Sequence, residues 1–156
     1  MATIIVEGFP RSGTTFLYDL IRLGFPSCEV IYSEHTASKL DLDNVIVVIR
    51  DPYKSIFSWK NYIGKNENVS DIAKWYVRYH TKVLDNIDGL TVIDFNEMIT
   101  DPVRVLENVS NKMNIDYQLV DIDSIRKNET GFDYTSFVTK DTKEAYQIYK
   151  QIIKRI

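Results

Sequence analysis

The start of the sequence constrains the fold more than any other part. The run Thr3–Val6 consists of β-branched residues, which is typical of a buried strand. Gly8 and Gly13 follow, and the sequence then enters a helical pattern directly. Two glycines at this separation let a loop curl so that its N–H groups and the N-terminus of the next helix face one point. An ordinary turn is the alternative, but the order strand, loop and helix favours a site for a phosphate-like oxyanion.

The rest of the sequence alternates between short apolar runs and segments with helical periodicity. Further strands are predicted at Val45–Ile49 and Leu90–Ile93, with a weaker one at Glu29–Tyr32. Helices are predicted at Thr14–Leu23, Ile72–Ile87 with Ser70 and Asp71 at its N-cap, Pro102–Met113 and residues 145–156. This alternation predicts a single α/β domain over residues 1–156, in which helices flank a central parallel sheet in three layers, as in phosphate-loop nucleotide triphosphatases. Ligands of such sheets lie at the carboxyl ends of the strands.

Charge and cysteine content narrow the classes of function. The formal net charge of −3 argues against a general binder of nucleic acid or of anionic membranes, so any anion site must be a local cluster of cations. No segment approaches the length of a membrane span. The single cysteine, Cys28, cannot form an intramolecular disulfide. We therefore expect a cytoplasmic protein.

The phosphate loop lacks the residue that phosphoryl transfer requires. Its spacing matches that of a nucleotide triphosphate loop, except that Thr14 occupies the position of the lysine. Without that lysine a γ-phosphate would lose its main cationic contact. The nearest cation is Arg11, inside the loop. This difference weakens the interpretation as an ATPase or kinase.

The loop resembles the 5′-phosphosulfate loop of sulfotransferases that use 3′-phosphoadenosine-5′-phosphosulfate (PAPS). The resemblance is carried by the stretch from Phe9 to Leu17, in which the basic residue of the family is Arg11. It implies that Phe16 stacks on adenine, although Phe16 could equally be a core aromatic of the first helix. The loop residues implied to bind the cofactor are Arg11, Ser12, Gly13, Thr14, Thr15 and Phe16.

A second stretch lies after the strand Val45–Ile49. It consists of Arg50, then Pro52 at the start of a helix, and Ser58 about two turns along it. A charged residue at the end of a buried strand requires a partner, and an arginine fork suits a phosphate. An ion pair between Arg50 and Asp51 is the alternative. The arrangement is similar to the 3′-phosphate motif of the same family.

Two later stretches extend the resemblance over nearly the whole chain. Arg126 and Lys127 match the 3′-phosphate ligands of the family's C-terminal cofactor loop, although Asn128 replaces a glycine there. The segment before Asp101 is similar to the one that supplies an adenine-contacting tyrosine, and Phe95 occupies that position.

The resemblance implies sulfuryl transfer from PAPS to a hydroxyl or amine, with 3′-phosphoadenosine 5′-phosphate (PAP) as product and no metal. Arg11 and Ser58 belong to the implied catalytic set. An imidazole can accept a proton near neutral pH, and His35 follows the weak second strand in the connection where the family often has its catalytic histidine. Glu34 and Glu29 are alternative bases, and a surface loop histidine without a catalytic role is the alternative for His35. His80, inside a predicted helix, is expected to be structural.

The nature of the acceptor cannot be read from the sequence. A small molecule, a carbohydrate or a peptide would fit equally, and homodimer formation is open. A nucleotide or nucleoside kinase is the alternative enzyme, because it would share the loop and the sheet. A catalytically inactive nucleotide-binding module is the alternative outside enzymes, since few residues are left to build a lid or an acceptor pocket.

Overall fold

A parallel four-stranded sheet with the order β2-β1-β3-β4 organises the chain. The computed structural model describes residues 1–63, 67–125 and 138–156. The strands are β1 (Thr3–Gly8), β2 (Glu29–Tyr32), β3 (Val45–Ile49) and β4 (Thr91–Asp94). The helices are α1 (Thr14–Gly24), α2 (Pro52–Ile63), α3 (Val69–Asp85), α4 (Phe95–Thr100), α5 (Pro102–Met113) and α6 (Lys140–Ile153). This architecture confirms the predicted α/β fold.

Helices cover both faces of the sheet because side chains alternate along each strand. On one face, Ile5 and Val47 pack against buried residues of α2, α3 and α6. On the other face, Ile4 and Val48 pack against buried residues of α1 and α5. All five residues of β3 are buried, as expected for the centre of a three-layer arrangement.

Two helix starts differ from the sequence prediction. Helix α3 begins at Val69, because Asn68 is the N-cap and its side-chain oxygen accepts a hydrogen bond from the Asp71 N–H at 2.8 Å. The prediction of Ser70 and Asp71 as caps was wrong, since three neighbouring polar residues all suit that position. Helix α6 begins at Lys140 rather than near residue 145, after a capping box that Thr139 forms with the third helical residue.

The strand order places a crevice between the loops that follow β1 and β3. The chain leaves β1 through α1 to reach β2 on one side, whereas β3 lies on the other side of β1. Loops that leave adjacent parallel strands in opposite directions open a cleft at the carboxyl edge of the sheet. The motifs of Arg11 and Arg50 follow these two strands.

Candidate functional site

The loop after β1 adopts the curled backbone that an oxyanion site requires. Gly13 has a φ of +87°, and a Cβ atom there would lie 2.7 Å from a ring carbon of Phe95, so only glycine fits. Gly13 is also the N-cap of α1 and has no side chain with which to cap the first N–H groups. Within the described residues, the buried Thr14 hydroxyl has no hydrogen-bond partner. The loop therefore offers donors at the positive end of a helix.

Arg11 extends from this loop to the next helix of the site. Its Nε donates a hydrogen bond to the Ser58 hydroxyl on α2 at 2.9 Å. Its guanidinium carbon lies 4.9 Å from the centre of the Tyr62 ring, one turn further along the helix. Arg11 is exposed and has a φ of +64°. These contacts hold a positive charge at the mouth of the loop.

Arg50 reaches back from the end of β3 to the same loop. Its Nη1 donates to the carbonyl oxygen of Arg11 at 3.0 Å, and its guanidinium lies 4.2 Å from the centre of the Phe95 ring. The Tyr76 hydroxyl of α3 donates to the Arg50 carbonyl at 2.7 Å and so fixes the backbone at this strand end. Asp51 caps α2 by accepting a hydrogen bond from the Tyr53 N–H at 2.8 Å. Two guanidinium groups and an aromatic ring thus converge at one place.

His35 faces the loop from the turn after β2. Its Nδ1 lies 2.6 Å from the Gly8 carbonyl oxygen, which can only accept, so Nδ1 carries the proton. In the neutral ring Nε2 is then an unprotonated acceptor. This nitrogen lies 3.5 Å from the Tyr32 hydroxyl, which in turn lies 3.5 Å from the Thr15 hydroxyl. The imidazole is therefore oriented as a proton acceptor beside the phosphate loop.

Both Arg11 and His35 have a backbone conformation that non-glycine residues rarely adopt. Their φ angles are +64° and +61°. Such a conformation costs on the order of 1–3 kcal/mol and persists where the surrounding structure enforces it, as it does at functional sites. The hydrogen bonds to Ser58 and to the Gly8 carbonyl act on these two side chains.

These groups border a single cavity of about 400 Å³. Its walls combine guanidinium groups, hydroxyl groups, an imidazole and aromatic rings. The predicted site residues that line it are Arg11, Gly13, Thr14, Thr15, Phe16, His35, Arg50, Ser58 and Phe95. Cations and aromatic faces in one cleft suit an anionic ligand that carries a flat ring.

Among the described residues predicted for the site, Ser12 does not line the cavity. Ser12 is fully buried beneath the loop, where its hydroxyl lies 3.2 Å from that of Ser55. Phe16 is 6% exposed and packs in the apolar cluster that includes α1, as a core aromatic does. It also borders the cavity, and its contact with adenine stays a prediction. Arg126 and Lys127 lie outside the described residues.

The alternative bases have less suitable positions than His35. Glu29 begins β2 and pairs with Thr3, so it lies at the amino edge of the sheet, opposite the cavity. The Thr3 hydroxyl donates to its carboxylate at 3.3 Å. Glu34 is exposed and is not among the residues that line the cavity.

Three aromatic residues of the cavity wall were not predicted. Tyr32 ends β2, and Trp59 and Tyr62 lie on α2, where their rings stack 5.8 Å apart. Tyr62 follows Ser58 by four residues, so helical periodicity alone could have placed it on the same face. No comparable signal marks Tyr32, because its importance depends on the neighbouring His35.

Comparison with known proteins supports the fold. No protein-family model matches the sequence, and no curated protein matches it. Among solved structures, the chain is similar to mouse sulfotransferase SULT7A1, which was crystallised in complex with PAP. The match has a TM-score of 0.59 at 13% sequence identity, and it covers 99% of this chain and 85% of the mouse chain. At this identity the likeness shows a shared three-layer α/β fold.

Two kinds of feature are absent from the described part of the chain. No helix there has both the length and the apolar character to cross a membrane. Residues 1–63, 67–125 and 138–156 also contain no group of three or more His, Cys, Asp or Glu side chains that could hold a metal ion.

Proposed function

We propose that the chain is a sulfotransferase that uses PAPS to sulfate a hydroxyl or an amine of an acceptor. One observation carries the proposal. A phosphate loop with threonine at the lysine position, two arginines from separate strand ends and an oriented histidine border the same cavity. When bound, PAPS supplies the sulfuryl group, and PAP is the product.

The groups of the cleft fit the chemistry of a doubly phosphorylated adenosine. The N–H groups at the start of α1, which no side chain caps, suit the oxygens of a 5′-phosphosulfate. Arg50 and Ser58 suit a 3′-phosphate, and Arg126 and Lys127 are assigned to it by resemblance only. Phe95 presents a ring that is already in contact with a guanidinium, and with Phe16 it is the candidate surface for adenine.

His35 is the candidate base. The hydrogen bond from Nδ1 to the Gly8 carbonyl fixes the tautomer, so Nε2 is free of its own proton and can accept one from an acceptor hydroxyl or amine. Its partly buried position next to the loop puts that nitrogen at the edge of the cavity. A proton acceptor here increases the nucleophilicity of the acceptor atom.

Arg11 is the candidate for stabilising the negative charge that develops on the leaving phosphate. A positive charge held in place before the reaction stabilises a transition state without the cost of reorganisation. The Ser58 hydroxyl accepts a hydrogen bond from Arg11 Nε at 2.9 Å, which supports a positioning role for Ser58 in the proposed catalytic set. The Thr14 and Thr15 hydroxyls contribute further donors.

The proposed acceptor is defined by its chemical class. A small molecule, a carbohydrate or a peptide with a hydroxyl or an amine fits an open cleft with aromatic walls. The mouse protein of similar fold bound PAP in its crystal structure. That fact supports the nucleotide part of the proposal and gives no acceptor. A cytoplasmic location remains a prediction from the sequence.

Calorimetry separates the proposed function from its alternatives. We expect the protein to bind PAP in the absence of metal and to bind ATP with Mg²⁺ much more weakly. Tight binding of Mg²⁺–ATP without binding of PAP would favour the kinase. Transfer of label from ³⁵S-PAPS to a panel of phenols, sugars and tyrosine peptides then distinguishes an enzyme from an inactive nucleotide-binding module.

A further inference from the structure

Tyr32 occupies the space beside the candidate base. It is the last residue of β2, an edge strand of the sheet, and it is 37% exposed. Its hydroxyl lies 3.5 Å from His35 Nε2 and 3.5 Å from the Thr15 hydroxyl. Its ring and the ring of Tyr18 pack edge to face, with ring centres 5.5 Å apart. The phenol thus bridges the base and the phosphate loop.

The direction of these hydrogen bonds follows from the tautomer of His35. Nδ1 uses its proton on the Gly8 carbonyl, so Nε2 of the neutral ring can only accept. The Tyr32 hydroxyl must therefore donate its proton to Nε2. Its oxygen is left to accept from the Thr15 hydroxyl, the other group within reach. The lone pair of Nε2, which would take a proton from the sulfuryl acceptor, is therefore already engaged by the Tyr32 hydroxyl.

We propose that Tyr32 is a positioning residue that caps the base until an acceptor replaces it; this inference rests on the proposed function. An acceptor hydroxyl or amine has to take the place of the Tyr32 hydroxyl at Nε2. The replacement is easy because both contacts of the phenol, at 3.5 Å, are longer than ordinary hydrogen bonds and therefore weak. The exposed position of Tyr32 on an edge strand gives the ring room to turn outward.

The Tyr32 hydroxyl also connects the part of the cavity proposed for the nucleotide with the part proposed for the sulfuryl acceptor. Thr15 is a residue of the phosphate loop, so an oxyanion in the loop competes for its hydroxyl proton. Tyr32 then loses one of its two hydrogen-bond partners, and its remaining hold on His35 weakens. We therefore expect the nucleotide to bind before the acceptor, and the base to stay shielded from water until the acceptor arrives.

Diethyl pyrocarbonate tests the cap directly because it modifies the unprotonated nitrogen of an imidazole. The chain has only two histidines, and His80 is completely buried, so His35 is the reactive one. At about pH 8 imidazole side chains are mostly neutral. We expect Tyr32→Phe to increase the rate of His35 carbethoxylation roughly three- to tenfold, the range expected for the loss of one hydrogen bond. Peptide mapping assigns the modified residue.

Tyr18→Phe is the matched control. It removes the neighbouring phenol hydroxyl but keeps the ring that packs against Tyr32, so its carbethoxylation rate should equal that of the parent protein. Equal rates in Tyr32→Phe and the parent would overturn the proposal. A rate increase of the same size in Tyr18→Phe would also overturn it, because packing rather than the hydroxyl would then control access.

A second measurement uses the nucleotide. If PAPS binds, Tyr32→Phe should hydrolyse it several-fold faster than the parent in the absence of acceptor, because water can then reach the uncapped base; an unchanged rate would contradict the cap. The carbethoxylation experiment needs no nucleotide. It therefore decides the role of Tyr32 even if calorimetry shows that the protein does not bind PAP.

Discussion

The two histidines have different surroundings, and the same type of side chain serves a different purpose in each. In both, Nδ1 donates to a backbone carbonyl, at 2.6 Å from His35 to Gly8 and at 2.8 Å from His80 to Tyr76. Nε2 of His35 borders the cavity and faces a hydroxyl, whereas Nε2 of His80 is buried and has no hydrogen-bond partner among the described residues. Burial lowers the pKa of His80 to about 3, so this ring stays neutral.

Orientation alone therefore does not make a histidine a base. Both rings have a fixed tautomer, but only His35 combines it with access to a ligand. The region of His80 instead supports the strand ends that carry the site. Tyr76, whose ring stacks on His80 with centres 3.7 Å apart, donates to the Arg50 carbonyl. Tyr79 donates to Glu7, the residue before Gly8, at 2.9 Å.

The largest effect should come from removing the accessible histidine. We expect His35→Ala to decrease turnover with PAPS roughly 10²- to 10⁴-fold, the usual contribution of a general base, and to leave PAP affinity unchanged. Turnover and calorimetry on the same preparation measure both. Glu34→Ala is the control, since that carboxylate is the neighbouring alternative base. Normal turnover in His35→Ala together with loss in Glu34→Ala would assign the base to Glu34.

Arg50 tests the cationic side of the same region. We expect Arg50→Ala to weaken PAP binding about 10- to 100-fold, because hydrogen bonds to charged groups contribute roughly 1.5–3 kcal/mol. Arg50→Lys should give a smaller loss, since it keeps the charge but not the planar fork. Arg78→Ala removes an equal charge from the exposed side of α3 and should have no effect. Unchanged affinity in Arg50→Ala would remove this residue from the nucleotide site.

Much of the region around His35 could be predicted from the sequence because its parts are local. The β-branched run of β3, the glycines of the loop and the proline at the start of α2 each determine structure over a few residues. The contact between Arg11 and Ser58 joins positions 47 residues apart, and it depends on how α2 packs. Tyr32 was missed for the same reason, since nothing local distinguishes it from other partly exposed tyrosines.

The buried histidine should make stability depend on pH. The pKa of His80 is about 3 in the folded protein and near 6.5 in the unfolded chain, so between these values the unfolded state binds more protons. The stability contributed by neutral His80 is thus fully present above about pH 6.5 and decreases as the pH falls. The expected slope is at most about 1.4 kcal/mol per pH unit.

His80→Phe isolates this contribution, because phenylalanine keeps a buried ring and cannot titrate. Urea unfolding of both proteins between about pH 7 and pH 4 measures this contribution. As the pH falls, the free energy of unfolding should decrease more steeply in the parent than in the variant. Carboxylates titrate in both proteins and cancel in the difference. Parallel curves would mean that His80 does not stay neutral in the fold.

The smallest effect tests whether the buried region supports the site or only stabilises the fold. Tyr76→Phe removes the hydrogen bond to the Arg50 carbonyl, and Tyr79→Phe removes the one to the Glu7 carboxylate. Each should cost roughly 1–2 kcal/mol in the free energy of unfolding. Only Tyr76 holds the backbone of a site residue, so we expect PAP affinity to decrease about two- to fivefold in Tyr76→Phe and to stay constant in Tyr79→Phe. Equal affinities in both variants would mean that β3 and α2 alone set the position of Arg50, and that the two histidine regions are energetically independent.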